Sequence, residues 1–437
     1  MNKSGIPPLD WYVSLVFIGL AEIAFWVKSR RLLPPPFPSW LTWTIRGLLL
    51  YLIFQMIPLP LPLLNFLSPA RAEFTRSLAP IAGSVTSAPI SVDPAAHLLW
   101  FLTIAGCTAA FYLLRDLTFR LQNRLFFAIL PLLLVAGFEA ILGLLQVAGG
   151  AVEAVGSYNS RDHYCCILEQ TLPIAVALGL LFFGRRSAGS SIWPIVQAIF
   201  CWILAALLTL AIFASLSRAG WIDSILSLLL LIILVLFPRI SSARWRIGFL
   251  GALLVFVLAA FVFASPGAML VRLVSASNTE SEGRLYIWKE LIPLTREFRW
   301  FGTGLMGFDP AFLRYQAIVN AKRIDFAHND FLQYLIEMGL VGFIPLVVCM
   351  ATIVTKIVKA SWPRKDQGTG TRAENRLLLI GCVASFAALF VHSLVDFNLY
   401  IPANMFTFAW ILGFGSALAA IGDPQPDSAN DIPNKYE

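Results

Sequence analysis

The residues best suited to catalysis stand in a short polar segment directly before a long apolar block. The segment contains His328, Asn329 and Asp330, and Gln333 and Glu337 follow it. At the N-terminus of the helix predicted here, the helix dipole disfavours a protonated imidazole, so a neutral His328 can accept a proton as a general base. Residues three or four positions apart share one face of a helix, which groups the other polar side chains with it. The alternative is that His328 and Asn329 only cap the helix.

Two further segments place arginines at positions suited to binding an anion. Arg218 follows Ser217 between two strongly apolar blocks, where a charge is costly unless it is paired or reaches the interface. A functional arginine here would clamp an anion, assisted by Ser217 and by the amides of a helix end. Arg284 lies in the longer polar segment 265–330, and by itself it indicates only a solvated charge.

The elements that must position these residues are membrane-spanning helices. The chain is 58% hydrophobic and only 13% charged, and its mean hydropathy is +0.76. One soluble core cannot absorb so much apolar surface over 437 residues, whereas lipid can. The apolar residues form about eleven blocks of spanning length without the alternation of a barrel, so the predicted fold class is all-α, a polytopic transmembrane protein of about 11 (10–12) helices. The blocks are centred near residues 19, 50, 104, 136, 173, 203, 228, 255, 345, 385 and 411.

The N-terminal block, the cysteines and the charge restrict the class further. Residues 11–27 are too long for a signal-peptide core and are followed by basic residues, which favours a retained helix. The six cysteines lie inside apolar blocks without metal-ligand spacing, so we expect them to pack as apolar side chains. The net charge of +7 comes mainly from helix ends, which indicates the lipid bilayer and not nucleic acid as a partner.

Short basic loops predict which helix ends face the cytoplasm. They comprise residues 28–31, 115–124, 185–186, 239–246 and 356–376. Because these loops alternate with about eleven helices, we expect the N-terminus outside and the C-terminal tail inside. The outer face then carries four polar segments, at residues 58–95, 149–162, 215–220 and 265–330.

The segment 265–330 is expected to fold as a small helical cap on the membrane, because it is too polar to span and too rich in aromatic residues for a linker. Residues 282–296 predict an amphipathic helix, and glycines at 302, 304 and 307 predict a turn. The apolar face of that helix would consist of Leu285, Trp288, Leu291 and Ile292. The predicted regions are N-terminal transmembrane helices with a proline-rich loop (1–125), central transmembrane helices (126–264), the extracytoplasmic cap (265–330), C-terminal transmembrane helices (331–421) and a cytoplasmic polar tail (422–437).

In combination these segments resemble the bacterial O-antigen ligase and polymerase superfamily. The His-Asn pair at 328–329, followed after nine residues by Gly-x-x-Gly at 339–342, is similar to the signature of that superfamily. Arg218 resembles its loop arginine between consecutive helices. Arg284 resembles the arginine at the start of its large extracytoplasmic loop.

Two other stretches are similar to one branch of the superfamily. The chain reads Asn159-Ser-Arg161-Asp162-His163 where that branch has Asn-Arg-Asn-His. Residues 392–404, which begin at His392, resemble its last outer loop. The similarity extends over roughly residues 130–415.

The resemblance implies a function and a role for each candidate residue. Members of the superfamily transfer a glycan from an undecaprenyl-pyrophosphate carrier to an acceptor on the periplasmic face of the inner membrane, without metal or other cofactor. His328 would orient or deprotonate the acceptor hydroxyl, while Arg218 and Arg284 would grip the pyrophosphate and stabilise its developing charge. Attack would invert the anomeric carbon. The supporting residues would be Arg161, His163, Ser217, Asn329, Gln333, His392 and Asp396.

Several functions share these motifs. The acceptor could be a lipid A-core, as in a ligase, or another glycan, as in a polymerase, and the pattern around His163 and His392 slightly favours the polymerase. A protein O-oligosaccharyltransferase is disfavoured by the short polar tail. A small-solute or anion transporter would need paired broken helices or inverted repeats, and the sequence indicates neither. A non-catalytic scaffold is the remaining alternative. The fourth histidine, His97, is expected at the interface without a role.

Overall fold

The described part of the chain is mostly helical. The computed structural model describes residues 34–185, 191–240, 279–316, 323–363 and 371–421, with a few isolated positions between 16 and 24 and between 242 and 248. The helices are α1 (Ser39–Met56), α2 (Leu61–Leu67), α3 (Pro69–Ser77), α4 (Ala79–Ala82), α5 (Pro94–Arg120), α6 (Leu125–Ala148), α7 (Arg161–Arg185), α8 (Trp193–Ala214), α9 (Arg218–Leu236), α10 (Thr279–Glu297), α11 (Phe308–Phe312), α12 (Asp330–Ser361), α13 (Thr371–His392) and α14 (Pro402–Ile421). Two 3₁₀ turns, Phe237–Arg239 and Asn398–Tyr400, and one antiparallel ribbon of β1 (Leu59–Pro60) and β2 (Ser87–Ala88) complete it.

Among the described residues, eight helices are long and apolar enough to cross a membrane. They are α5 to α9 and α12 to α14, which confirms the prediction of an all-α, polytopic membrane protein. The predicted block near residue 50 forms α1, which contains Arg46 and Gln55 and is not among the eight. Of the block near 19, the structure describes only residues 16–21, 23 and 24. The block near 255, the basic loop 28–31, positions 241, 243 and 246 of the loop 239–246, and the tail 422–437 lie outside the described residues.

Helix α7 lies at the centre of the bundle and is buried along most of its length. It packs against α8, α9 and α13, while α14 packs against α5. Because α7 is surrounded by other helices, its polar side chains such as Glu169 contact protein and not solvent. The six cysteines are buried and free, as their positions in apolar blocks predict.

Helix α12 is interrupted at Gly339, and this break separates a short upper segment from the membrane-spanning part. Gly339 has φ 62° and ψ 179°, outside the helical region. The helix has 32 residues, more than the roughly 20 needed to cross a bilayer. Beyond the break, the amides of Leu340 and Val341 donate to the carbonyls of Arg299 and Trp300 at 2.8 and 3.1 Å. The backbone groups freed by the break are therefore bonded within the protein, as an apolar environment requires.

The predicted glycine turn completes this junction. The amides of Thr303 and Gly304 donate to the carbonyls of Ile336 and Glu337 at 3.0 and 2.9 Å. Gly302 has φ 70°, and a Cβ there would stand 2.2 Å from the Glu337 carbonyl oxygen. The turn therefore requires glycine both for its left-handed backbone and for its close approach to α12.

The amphipathic face of α10 differs from the prediction. Leu291, Leu294 and Phe298 are buried in the apolar cluster of the cap, whereas Leu285 and Ile292 are 54% and 48% exposed. At 100° per residue, Leu291, Leu294 and Phe298 lie within about 60° of one another, and Leu285 and Ile292 lie on the opposite side. Leu285 and Ile292 therefore do not pack in the cap cluster, although the sequence predicted them on the same apolar face as Leu291.

The cap also contains a part of the chain that the sequence did not assign to it. Ala70 of α3 belongs to the same apolar cluster as Phe308 and Phe312. The buried Arg71 donates from Nε to the Ser91 carbonyl at 3.3 Å. The proline-rich segment is thus packed against the cap, and it supports the turn that meets α12.

We expect the substitution Gly339→Ala to destabilise the protein by at least about 2 kcal/mol. The new Cβ would lie 2.3 Å from the Trp300 carbonyl oxygen, at a φ that L-residues rarely adopt. The measurement is the unfolding temperature of the purified protein in detergent. Gly47→Ala in α1 is the matched control, because nothing lies within 4 Å of its Cβ and alanine favours a helix. Equal unfolding temperatures for Gly339→Ala and the wild type would contradict this account.

Candidate functional site

Several of the charged residues predicted for the site line one cavity. It lies at the end of the bundle where α7, α9 and α12 begin. The cavity has a volume of about 80 Å³. It is lined by Arg161, Asp162, Arg218, Ala219, Arg284, His392, Val395 and Asp396. The three predicted arginines, which lie far apart in the sequence, therefore share a single cavity.

Two helix N-termini carry two of these arginines. Arg161 and Arg218 are the first residues of α7 and α9, where backbone amides and the helix dipole favour an anion. The Ser217 hydroxyl accepts from the Gly220 amide at 3.1 Å and donates to Asp162 Oδ1 at 2.5 Å. Ser217 is fully buried, so it caps α9 and ties the two helix starts together. Ser217 therefore helps to hold in place the two helix starts that carry Arg161 and Arg218.

The arginines differ in their surroundings. Arg161 forms an ion pair with Glu153 at 2.8 Å. Arg284 comes from the N-terminal part of α10, in the cap. The cavity therefore lies between the transmembrane helices and the cap, as the spacing of the motifs suggests.

His328 stands immediately before α12 and is distinct from the residue that caps this helix. The Asn329 side-chain oxygen accepts from the Leu332 amide at 2.9 Å, and its Nδ2 donates to the Leu394 carbonyl at 3.0 Å. His328 has φ 48°, and its Nδ1 lies 3.2 Å from Asp396 Oδ1. Its side chain is 36% exposed. The capping alternative thus applies to Asn329 alone, and the His328 ring remains accessible.

Asp396 is the carboxylate that orients His328. Burial raises the pKa of this carboxyl, but the hydrogen bond from His328 and the nearby His163 and His392 rings lower it further, so its pKa is below the usual range. His163 Nε2 lies 3.8 Å from the second oxygen, Oδ2. The Phe397 ring contacts His163 and His328 edge-on, at centroid distances of 4.6 and 5.1 Å. An ionised Asp396 can accept from His328 Nδ1 and leave Nε2 as the reactive nitrogen.

A second histidine and two acids form a buried cluster beside the cavity. His392 Nδ1 lies 2.8 Å from Glu169 Oε1 and 3.4 Å from Asp223 Oδ2. One donor atom from each of the three residues lies within 4.8 Å of the others, and two carboxylates with one imidazole are a set that can bind a divalent cation. Asp223 was missed in the sequence, although an acid inside an apolar helix is itself a functional signal.

The polar face predicted at the start of α12 exists, but it is buried. Gln333 accepts from the Ala327 amide at 2.7 Å and donates to Glu337 Oε1 at 2.8 Å. Glu337 also accepts from the Tyr400 hydroxyl at 2.6 Å. Asp330 accepts from the Ser393 hydroxyl at 2.7 Å. These residues shape the segment that holds His328 and do not line the cavity.

His97 has a role that the sequence did not indicate. It was expected at the interface, but its side chain is fully buried. Its Nδ1 accepts from the Leu305 amide at 3.0 Å. It therefore stabilises the glycine turn of the cap, because a buried amide without an acceptor is costly.

A larger apolar cavity of about 450 Å³ opens between α1, α5, α12 and α14. Its lining reaches from Asp330 and Tyr334 near the start of α12 to Ile353 and Leu412 deeper in the bundle. The side chains between them are almost all apolar. The lining of this cavity therefore starts at Asp330, two positions after His328 in the sequence, and continues along the helices.

Comparison with known protein families gives a match for one part of the chain. A family model described as O-antigen ligase matches residues 203–347, from the middle of α8 into α12. The matched region contains Arg218, Arg284 and His328. The match supports the resemblance to the O-antigen ligase-like superfamily and, together with the eight candidate spans, an O-antigen ligase-type membrane glycan transferase. No curated protein matches the chain.

Proposed function

We propose, from this family match and the geometry of the cavity, that the chain transfers a glycan from an undecaprenyl-pyrophosphate carrier to an acceptor hydroxyl at the periplasmic face of the inner membrane. The observation that carries the proposal is the meeting of three arginines with the His328–Asp396 pair at one end of the bundle. The described basic residues Arg115, Arg120, Lys356, Lys359 and Arg376 lie toward the opposite ends of α5, α12 and α13. The positive-inside rule supports a periplasmic position for the cavity on that basis.

The arginines would bind the pyrophosphate of the donor. Guanidinium groups bind phosphate oxygens in a bidentate manner and stay charged. Arg218 and Arg284 approach the cavity from α9 and from the cap, so they can hold the pyrophosphate from two sides. Arg161 adds a third cation, whose charge is partly balanced by Glu153. The same groups would stabilise the negative charge that grows on the leaving pyrophosphate.

The apolar cavity would hold the polyprenyl chain of the donor. Its lining is almost entirely aliphatic and aromatic, which matches a hydrocarbon chain. It begins at Asp330 and Phe331, beside the segment that carries His328. A lipid in this cavity would place its pyrophosphate near the polar end of the bundle.

His328 would act on the acceptor. With Nδ1 directed at Asp396, Nε2 can take the proton of the acceptor hydroxyl as its oxygen attacks the anomeric carbon. The bond from that carbon to the pyrophosphate oxygen breaks, and the electron pair leaves with the pyrophosphate. Because nucleophile and leaving group occupy opposite sides of the carbon, the configuration inverts. Asp396 would stabilise the imidazolium that forms, as the carboxylate of a catalytic triad does.

The test is reconstitution of the purified chain in proteoliposomes with an undecaprenyl-pyrophosphate-linked glycan and a glycan or lipid A-core acceptor. We expect a transfer product and release of undecaprenyl pyrophosphate without added metal or nucleotide. Absence of transfer to any offered acceptor, with the protein folded, would contradict the proposal.

A gene deletion identifies the acceptor class. Single repeat units left on the lipid carrier would indicate that the chain polymerises repeat units. Long glycans left on the carrier would indicate that it attaches finished glycans to lipid A-core.

A further inference from the structure

The cluster of His392, Glu169 and Asp223 requires a functional explanation, because it places two acids and one imidazole in the interior of the bundle. Glu169 and His392 are fully buried, and Asp223 is 2% exposed. They come from three helices, α7, α9 and α13, that pack together. Buried charges are retained only where they are paired or used.

The geometry assigns the proton on one ring nitrogen. Nδ1 of His392 faces both Glu169 Oε1 and Asp223 Oδ2, at 2.8 and 3.4 Å. When Glu169 is ionised it can only accept, and Nδ1 of His392 is then the donor of this hydrogen bond. Nε2 is buried and lacks a hydrogen-bond partner among the described residues. Since His392 also lines the arginine cavity, Nε2 is the nitrogen left to meet a ligand.

The short distance favours a hydrogen bond over a shared tetrahedral zinc ion. Two ligand atoms on one tetrahedral zinc stand about 3.3 Å apart, given metal–ligand bonds near 2.0–2.1 Å. The 2.8 Å separation between Nδ1 and Oε1 is shorter than this and is typical of an N–H···O bond. With the ring protonated, one positive charge offsets part of the charge of the two carboxylates.

We propose that Glu169 and Asp223 are positioning residues that hold His392 as an imidazolium, whose Nε2–H donates to the pyrophosphate of the lipid donor. This rests on the proposed function, because the ligand is the donor of that reaction. The step is binding alone, so no bond to His392 forms or breaks. Besides the three arginines, the cavity would then contain a fourth cationic hydrogen-bond donor, the His392 ring on α13, whose charge depends on pH.

Other charged groups surround the ring and affect its protonation. The charged or titratable residues that line the same cavity or interact electrostatically with His392 are Arg161, Asp162, His163, Arg218, Arg284, Asp330 and Asp396. The arginines of the cavity disfavour the imidazolium, whereas the nearby carboxylates favour it. The removal of Glu169, which makes the shortest contact, should therefore have the largest effect.

The test measures the binding of undecaprenyl pyrophosphate to the full chain in nanodiscs between pH 6 and pH 9. For Glu169→Gln we expect about tenfold weaker affinity at neutral pH, the loss of one charge-assisted hydrogen bond. The alkaline loss of affinity should begin at lower pH than in the wild type. His392→Gln should weaken affinity similarly and remove that alkaline loss. Asp223→Asn should act in the same direction with a smaller effect.

Glu374→Gln is the matched control. Glu374 lies on the same helix, α13, toward its other end, and pairs with Arg185 of α7. The control should keep the affinity and the pH profile of the wild type. Glu169→Asp, which keeps the charge, should restore part of the affinity and replaces Glu169→Gln if that variant does not fold.

Two results would overturn the inference. One is wild-type affinity and pH profile in both Glu169→Gln and His392→Gln. The other is one equivalent of tightly bound divalent metal in the wild type that is lost in Glu169→Gln. If the wild-type chain itself does not bind undecaprenyl pyrophosphate, the proposed function fails instead.

Discussion

Replacing His328 by asparagine is expected to lower the rate of glycan transfer by about 10²–10⁴-fold, the usual contribution of a general base. Asparagine is the informative substitution because His328 has φ 48°, and asparagine tolerates that backbone region better than alanine does. It also removes the imidazole without adding bulk. The measurement is the transfer rate in proteoliposomes at saturating donor.

Donor binding separates this result from a folding defect. His328→Asn should bind undecaprenyl pyrophosphate with nearly wild-type affinity, because the arginines of the cavity are unchanged. It should also unfold near the wild-type temperature. A transfer rate within a few fold of the wild type would remove His328 from the mechanism.

Asp396→Asn tests the orientation of the same ring. An asparagine at 396 cannot stabilise the His328 imidazolium, so transfer should fall in this variant as well. The lowered pKa of Asp396 also means that its ionised form stabilises the fold. That contribution is complete above the unfolded pKa of about 3.9 and is lost as pH falls toward the lower folded value. The difference in stability between the wild type and Asp396→Asn should therefore shrink as pH falls below that unfolded value.

The second large effect is expected at the arginines. Arg218→Lys and Arg284→Lys keep the charge but lose the planar, bidentate contact with phosphate oxygens. We expect each to lower transfer by about 10²–10³-fold, similar to the removal of one donor that stabilises transition-state charge. Donor affinity and transfer rate should both be measured, since the arginines act on the bound and on the leaving pyrophosphate.

Two other arginines of the cap provide the control. Arg314 pairs with Glu73 and Arg323 with Asp309 at exposed positions. Surface ion pairs contribute little to stability, so Arg314→Lys and Arg323→Lys should transfer at the wild-type rate. If these variants lose as much activity as Arg218→Lys, the effect comes from general cap charge and not from the cavity.

Much of the bundle and of the site was predictable because the signals are local. An apolar run of spanning length forms a helix in lipid wherever its neighbours are, which accounts for α5 to α9 and α12 to α14. The position of His328 before α12 follows from a polar segment that meets an apolar block. Arg218 was found because a charge beside such a block is unusual, whereas Arg284 was identified by the resemblance to the superfamily.

The features that the sequence did not indicate depend on what lies opposite each residue. Leu285 and Ile292 have the spacing of a helical face, but the packing of the cap selected another face of α10. Ser217 and Gln333 are polar residues near the cavity, yet their hydrogen bonds are directed into the protein. His97 could not be assigned, because its partner Leu305 is 208 positions away.

The sequence by itself determined the helical membrane architecture and the identity of His328, Arg218 and Arg284 as the residues to examine. Spanning length, charge and motif spacing are properties of contiguous chain. Only the tertiary structure decided their partners. Asp396 meets His328 across 68 positions, and Glu169 meets His392 across 223. Such pairs arise from the packing of helices that are distant in the chain. A local sequence pattern cannot indicate which of these distant residues come into contact.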